Sequence, residues 1–131
     1  MSYINEFYED TAERFWDPEI GPIGRDIHTL PLINSNLNGR FLEYGFGSAS
    51  FLFQVANLKG FEEVIGVDIS NAVIKKANEN KNRINKDYCK KLKFISPDES
   101  EEKIPQIETE SIDCIATLAT VEHILNPSAV L

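Results

Sequence analysis

The sequence has few of the residues that build covalent or metal-stabilised frameworks. Its 131 residues include only two cysteines, Cys89 and Cys114, with no Cys-x-x-Cys spacing and no histidine at the sequence distance of a zinc motif. Neither a disulfide framework nor a zinc site is therefore indicated, and no metal ligand is predicted. Such sparse use of cysteine is typical of the reduced setting of the cytoplasm.

Positive charge and long apolar runs are also scarce. There are 13 Lys and Arg against 21 Asp and Glu, which gives a formal net charge of −8 at pH 7. This balance argues against a nucleic-acid partner, because phosphate binding depends on a surplus of positive charge. No apolar run approaches the length of a membrane span, and the first twenty residues are aromatic and acidic rather than basic and then apolar. Neither membrane attachment nor a signal peptide is expected.

The basic residues that exist are concentrated in one segment. Between Lys75 and Lys93 there are eight basic residues and two acidic ones, whereas the rest of the chain holds five basic and 19 acidic residues. A short basic run is typical of the solvated face of a helix and of the loop after it. The alternative is an RNA- or phosphate-binding patch, but Tyr88 is the only aromatic residue interleaved with these charges.

What is present suits one folded domain that begins with helices. The hydrophobic fraction is 42%, and 7 Gly with 6 Pro exclude a collagen-like or low-complexity chain. Apolar residues recur at spacings of three and four over residues 3–16, which predicts an amphipathic helix that ends at Asp17-Pro18. A second helix near 23–33 is interrupted by Pro31, and the turn residues of 34–39 follow it. Residues 1–39 are thus predicted to form a helical cap.

From Arg40 onward, strand-like and helix-like segments alternate. The predicted strands cover residues 40–44, 63–67, 92–95 and 112–117, the predicted helices cover 48–58 and a segment that starts after Ser70, and an acidic loop covers 96–111. Ser70 is suited to cap its helix, whose residues Val73, Ala77 and Ile84 are predicted to face inward. This alternation predicts an α/β fold with a parallel sheet and right-handed crossovers.

The turn after the first predicted strand carries the first indication of chemistry. Gly45 and Gly47 lie between a strand and a helix, where glycine lets the backbone bend sharply and lets a ligand approach the amides. Ordinary tight turns also contain Gly-x-Gly. Asp68 supports the binding interpretation, because it ends the next strand 23 residues after Gly45 and could accept both hydroxyls of a ribose. The alternative for Asp68 is a turn residue that leads into a helix.

The pattern around this turn distinguishes between two kinds of cofactor. The nicotinamide fingerprint Gly-x-Gly-x-x-Gly fails at Ser50. The segment instead resembles the first motif of the class I S-adenosylmethionine-dependent methyltransferases, an acidic residue followed by Gly-x-Gly-x-Gly. Glu43, Gly45 and Gly47 are in place, and Ala49 stands where the last glycine usually lies.

Two later segments extend the resemblance. Residues 64–70 look like the second motif of the same family. Residues 113–115 and 121–124 look like its fourth-strand motif and the Glu-His step of its small-molecule branch, often called type-11 methyltransferases. The resemblance runs from about Arg40 to the end of the chain, and it implies a Rossmann-like parallel sheet of which residues 40–131 supply the first four strands.

The family resemblance implies roles for individual residues around the cofactor S-adenosyl-L-methionine. Glu43 would orient the amino group of the methionine moiety, and the backbone at Gly45 and Gly47 would pass close to the cofactor. Asp68 would hold the ribose diol, and Ile69 would pack on the adenine. The reaction would be methyl transfer to a small-molecule acceptor.

The remaining implied roles concern the acceptor side and the adenine. Thr117 and Leu118 would leave the fourth strand beside the methyl donor. Asp98 would lie toward the adenine amino group, although a solvated acidic loop is the alternative for the segment that contains it. His123 is the candidate general base, since the unperturbed pKa of histidine is about 6.5. The alternative for His123 is a capping or supporting role.

Residues of the cap could also take part. Tyr3, Tyr8, Trp16 and His28 could line a lid over the site, but an aromatic stripe at helical spacing is usually packing, and His28 taken alone is expected on the surface.

Two other functions remain open. One is an incomplete or non-catalytic module that holds the cofactor without an acceptor site. The other is a nicotinamide-dependent reductase, which Ser50 and Glu43 disfavour. The strand at 112–117 is expected to be an open edge, because the family's sheet continues beyond it. The chain is therefore expected to be the N-terminal portion of a longer methyltransferase, or to be completed by a second chain such as another copy of itself.

Overall fold

The computed structural model describes residues 25–33, 37–97, 104 and 106–118. Its elements in chain order are helix α1 (Arg25–Thr29), a 3-10 turn (Leu30–Leu32), strand β1 (Gly39–Tyr44), helix α2 (Ser50–Asn57), strand β2 (Phe61–Val67), helix α3 (Asn71–Ile84), a 3-10 turn (Asp87–Lys91), strand β3 (Leu92–Ile95) and strand β4 (Cys114–Thr117). The alternation predicted from Arg40 onward is confirmed. The helix predicted for 3–16 lies outside the described residues.

The four described strands form one parallel sheet in the order β3-β2-β1-β4. The chain therefore builds outward from β1 in one direction with β2 and β3, and then returns to add β4 on the other side. In open α/β sheets, ligands bind at the carboxyl ends of the strands, where the strand order reverses. In this sheet that point lies between β1 and β4.

Helix α3 begins and packs as the sequence predicts. Ser70 Oγ accepts a hydrogen bond from the Val73 backbone N–H at 3.2 Å, which confirms the predicted cap of α3. Val73 and Ala77 are buried as predicted, and Ile84 is half-buried against the same core.

The main core is rich in phenylalanine and lies between the sheet and its helices. Its largest buried side chains are Phe41, Phe46, Phe51, Phe53, Phe61 and Phe94. The Phe41 and Phe61 rings lie 5.3 Å apart, centroid to centroid, at an interplanar angle of 61°. A smaller cluster of Leu42, Tyr44, Ile65 and Val67 uses the alternate positions of β1 and β2. Burial of both faces of β1 and β2 fixes the positions of the loops that follow them.

Much of the basic segment takes part in contacts within the fold. Lys81 Nζ donates to the Leu92 carbonyl oxygen at 2.7 Å, and Lys91 Nζ donates to the Leu58 carbonyl oxygen at 3.2 Å. The Lys93 ammonium lies 2.8 Å from Glu63 Oε1. These contacts favour a structural interpretation of the segment over a phosphate-binding patch. Within the described residues, no helix is both long enough and apolar enough to cross a membrane.

Candidate functional site

The candidate site is the carboxyl end of the sheet, where β1, β2 and β4 finish side by side. The last residue of β1, Tyr44, pairs with Val67 of β2 and with Thr117 of β4. Glu43 pairs in the same way with Gly66 and with Ala116. The residues that directly follow β1 and β2 are therefore neighbours, although they are more than twenty positions apart in sequence.

Residues 45–49, called the glycine loop below, turn the chain from β1 into α2. Gly45 has φ 75° and donates its N–H to the Val67 carbonyl oxygen at 2.6 Å, and Gly47 has φ 55°. Among the residues that the structure describes, a Cβ built on Gly47 would meet no atom within 4 Å, so this part of the loop faces open space between them. A ligand can therefore come close to the backbone there.

Ala49 occupies the position of the last glycine in the predicted methyltransferase motif. Its φ is 65°, and it is the N-cap residue of α2. The loop thus keeps a left-handed backbone at this position without glycine, which costs about 1 to 2 kcal/mol for an L-residue. Complete burial of the Ala49 methyl group in the core offsets part of that cost.

Asp68 connects the end of β2 to the glycine loop. Its Oδ2 accepts the Gly47 N–H at 3.1 Å, and its Oδ1 accepts the Ser70 N–H at 3.0 Å. Burial raises the pKa of the Asp68 carboxyl above its usual value, while the backbone amides of Ser70, Gly47 and Ile69 act in the opposite direction. Each carboxylate oxygen has a second lone pair, so both can accept a further hydroxyl group.

Glu43 is the second acidic group of the site. Its side chain is fully buried near the end of β1, two residues before the glycine loop. Carboxylates are almost never buried to this extent unless they are paired, because removing the charge from water is costly. The acidic residue of the predicted motif is thus a buried group near the carboxyl end of the sheet.

The structure adds a polar contact that the sequence analysis missed. Ser50 Oγ donates a hydrogen bond to Asp26 Oδ2, and both side chains are buried. The sequence marks Ser50 only as a mismatch to the nicotinamide fingerprint, and no motif in it contains Asp26. No periodic pattern could have paired them, because the contact joins α1 to the first residue of α2.

The other predicted site residues are divided between described and undescribed parts of the chain. Ile69 is half-buried directly after Asp68, and Thr117 and Leu118 are half-buried at the end of β4. Leu118 also packs against the main core. The predicted roles of Asp98 and His123 lie outside the described residues.

The predicted lid also lies mostly outside the structure. Its members Tyr3, Tyr8 and Trp16 are not among the described residues, whereas His28 is exposed, as expected for a surface residue. In the part of the chain that the structure describes, no three His, Cys, Asp or Glu side chains come together as a metal site.

Comparisons with known proteins bear on this site. A family model described as "Methyltransferase domain" matches residues 35–131. A protein from Methanococcus maripaludis, provisionally assigned as an S-adenosyl-L-methionine-dependent methyltransferase, aligns with a TM-score of 0.68 and 16% identity over 96% of this chain and 53% of its own. A chain from a complex of the Haloferax volcanii Trm112 methyltransferase activator with a provisionally assigned methyltransferase aligns with a TM-score of 0.65 and 17% identity. That alignment covers 98% of this chain and 50% of the other. Comparison with curated proteins gives no match.

These comparisons bear on two of the predictions. The structural likeness confirms the predicted Rossmann-like α/β fold. The family match extends over the segments whose motifs suggested the resemblance, and it confirms the resemblance to the methyltransferases, while the small-molecule branch stays a prediction. The chain spans about half the length of the solved structures that it matches.

Proposed function

Since the chain belongs to the methyltransferase-domain family, we propose that it binds S-adenosyl-L-methionine and transfers the methyl group to a small-molecule acceptor. The observation that carries this proposal is the Asp68 carboxylate, which is buried at the end of β2 and hydrogen-bonded to Gly47 of the glycine loop. This contact supports the proposal, because it brings an acid suited to a ribose diol next to a backbone that a ligand can approach.

The residues present fit this cofactor. Gly47 leaves open space beside the loop, and the two oxygens of Asp68 have the acceptor capacity for a ribose diol. Glu43 supplies a buried negative charge suited to the amino group of the methionine moiety. Ile69 provides an apolar side chain next to Asp68 for the adenine.

When bound, the cofactor supplies an activated methyl group on a sulfonium. The protein's part is then mainly to bind and orient, because alignment of two reactants accounts for much of the acceleration of such a transfer. Thr117 and Leu118, at the end of β4 beside Tyr44, lie where the strand order reverses, and we assign them to the side from which the acceptor enters. His123 remains the candidate base for an acceptor that must lose a proton.

Two alternatives compete with this proposal. A nicotinamide cofactor would need its pyrophosphate at the start of α2, where Asp26 places a carboxylate beside Ser50. A cofactor-binding module without catalysis uses the same loop and the same Asp68, so only turnover distinguishes it from an enzyme.

The proposal is tested by titration calorimetry followed by an activity assay. S-adenosyl-L-methionine should bind the chain with one site, NAD should not, and Asp68→Ala should lose most of the affinity. Glu62→Gln is the matched control, because Glu62 is exposed on β2 and the substitution removes one negative charge away from the loop. Methyl transfer to any member of a panel of small acceptors supports the enzyme, whereas binding without turnover supports the module. Absence of binding contradicts both.

A further inference from the structure

Asp26 lies outside every motif of the family resemblance, yet it is one of the most buried charged residues that the structure describes. It is 2% exposed, and its Oδ2 accepts a hydrogen bond from the hydroxyl of Ser50, which is 7% exposed. Shielding from water strengthens such a hydrogen bond. The contact attaches α1 to the first residue of α2, immediately after the glycine loop.

Asp26 lies close to the N-terminus of α2, where its negative charge can act on the charge of the helix end. The first N–H groups of a helix lack intrahelical partners and carry a partial positive charge. The N-cap residue of α2 is Ala49, whose side chain offers no oxygen to these groups. Asp26 therefore brings a negative charge to a helix turn whose own cap provides none.

Folds with a glycine-rich turn commonly use this helix end to bind phosphate. In this chain, the Gly47 N–H is already donated to Asp68, and the Asp26 carboxylate lies beside Ser50. Glu43 adds a third buried carboxylate two residues before Gly45. Three carboxylates around one loop repel a phosphate and attract a ligand with positive charge.

We propose that Asp26 is a positioning and specificity-determining residue of the cofactor site. It holds the first turn of α2 through Ser50. Its negative charge makes the glycine loop bind the cationic S-adenosyl-L-methionine in preference to phosphate-bearing cofactors. This inference rests on the proposed function, because both concern the same loop.

Two variants separate the charge of Asp26 from its hydrogen bond. Asp26→Asn removes the charge but keeps an oxygen that can accept the Ser50 hydroxyl, whereas Ser50→Ala removes the bond and keeps the charge. Glu62→Gln again serves as the control for the loss of one exposed charge. Each protein is titrated calorimetrically with S-adenosyl-L-methionine and, separately, with inorganic pyrophosphate at two salt concentrations. Thermal unfolding of each variant checks that it is folded.

The ratio of the two affinities is the decisive quantity, because a merely structural contact would not change it in favour of an anion. Asp26→Asn should weaken S-adenosyl-L-methionine by about tenfold and strengthen pyrophosphate by a similar factor, and added salt should reduce that gain. Ser50→Ala should weaken S-adenosyl-L-methionine without any gain for pyrophosphate. A folded Asp26→Asn protein with wild-type affinity for both ligands would overturn the proposal.

Two further outcomes of these experiments also test the proposal. If Asp26→Asn does not fold, Ser50→Ala settles the positioning role, since wild-type affinity for S-adenosyl-L-methionine in that variant contradicts it. If the wild-type chain binds no S-adenosyl-L-methionine, the proposed function fails. The pyrophosphate measurements then test the charge of Asp26 by themselves.

Discussion

The Gly47 backbone N–H donates to Asp68 Oδ2 at 3.1 Å, so the loop after β1 and the carboxylate after β2 form a single unit. The second Asp68 oxygen accepts the Ser70 N–H, which leads directly into α3. A substitution at Asp68 should therefore affect both the binding of the proposed cofactor and the conformation of the glycine loop.

The first prediction concerns the Asp68 carboxylate. Asp68→Ala should weaken S-adenosyl-L-methionine binding by at least about 2 kcal/mol, because hydrogen bonds to a charged acceptor in a partly dry site contribute roughly 1.5 to 3 kcal/mol each. The loss should exceed that of any substitution at His123. Titration calorimetry measures both variants, and equal affinities for wild type and Asp68→Ala would reject the assignment of Asp68 to the ribose.

The second prediction is a pH dependence with a defined sign. Burial raises the pKa of the Asp68 carboxyl above its usual 3.8, against the effect of the neighbouring amides. The ionised form offers more acceptor sites for hydroxyls than the protonated form. Cofactor affinity should therefore fall as the pH is lowered through this raised pKa, at a higher pH than an ordinary aspartate would produce. The affinity of the Asp68→Asn protein should not fall in this way. If it does fall, another titratable group causes the pH dependence.

The third prediction separates two glycines by what surrounds them. Gly47→Val should abolish cofactor binding while the protein stays folded, because its side chain would enter open space at the loop and a branched residue is strained at φ 55°. Gly66→Ala should lower the stability, since its Cβ would lie 2.5 Å from Leu52 Cδ1 and 2.6 Å from Cδ1 of Phe46 in the glycine loop. Overpacking of this kind costs about 1 to 3 kcal/mol.

Chemical denaturation and calorimetry on both glycine variants provide the comparison. Normal binding by Gly47→Val, or likewise by Gly45→Val, would place the cofactor elsewhere. A Gly66→Ala protein of wild-type stability would show that the core beneath the glycine loop can relax.

The fourth prediction concerns the opposite end of the sheet. Glu63 lies 2.7 Å from Arg40 Nε and 2.8 Å from Lys93 Nζ. The hydrogen bond from Lys93 lowers the pKa of the Glu63 carboxyl, burial opposes this change, and Arg40 lowers the pKa further. Because the folded-state pKa lies below the unfolded value, the stabilisation is present above the unfolded pKa and is lost as the pH falls through the folded one.

Glu63→Gln should therefore lower the free energy of unfolding at neutral pH by about 0.5 to 1 kcal/mol. The difference from wild type should shrink to nothing below the folded-state pKa of Glu63. Urea denaturation at a series of pH values measures this difference in the free energy of unfolding. Glu62→Gln, at the exposed neighbouring residue, is the control. A difference that does not change with pH would rule out the ion pairs as its source.

Local patterns in the sequence predict most of the fold but set its boundaries less well. The prediction of β3 at 92–95 matches its bounds, while β4 begins at Cys114 rather than at residue 112. The reason is that the Arg40 N–H donates to Asp113 Oδ2 at 2.8 Å, so a side chain replaces a backbone carbonyl as its partner before the ladder of β4 starts. Helix α2 begins at Ser50 rather than at 48 because Ala49 is left-handed.

The residues of the candidate site also fall into two groups, those that the sequence predicts and those that it does not. Glu43, Gly45, Gly47 and Asp68 could be predicted, because the turn chemistry and the strand ends are local properties and parallel strands bring them together. The contact between Asp26 and Ser50 could not, because it joins two elements whose mutual placement depends on the packing of the whole core. The burial of a single acidic residue outside any motif cannot be predicted from the periodicity of the sequence.

The most direct test of the central claim locates the cofactor by NMR. In a titration of the ¹⁵N-labelled chain with S-adenosyl-L-methionine, the amide signals of Gly45, Gly47 and Ile69 should shift together and saturate. The signals of Gly60 and Glu62, at the opposite end of β2, should stay in place. Saturable shifts confined to residues away from the glycine loop and Asp68, or no shifts at all, would contradict the account.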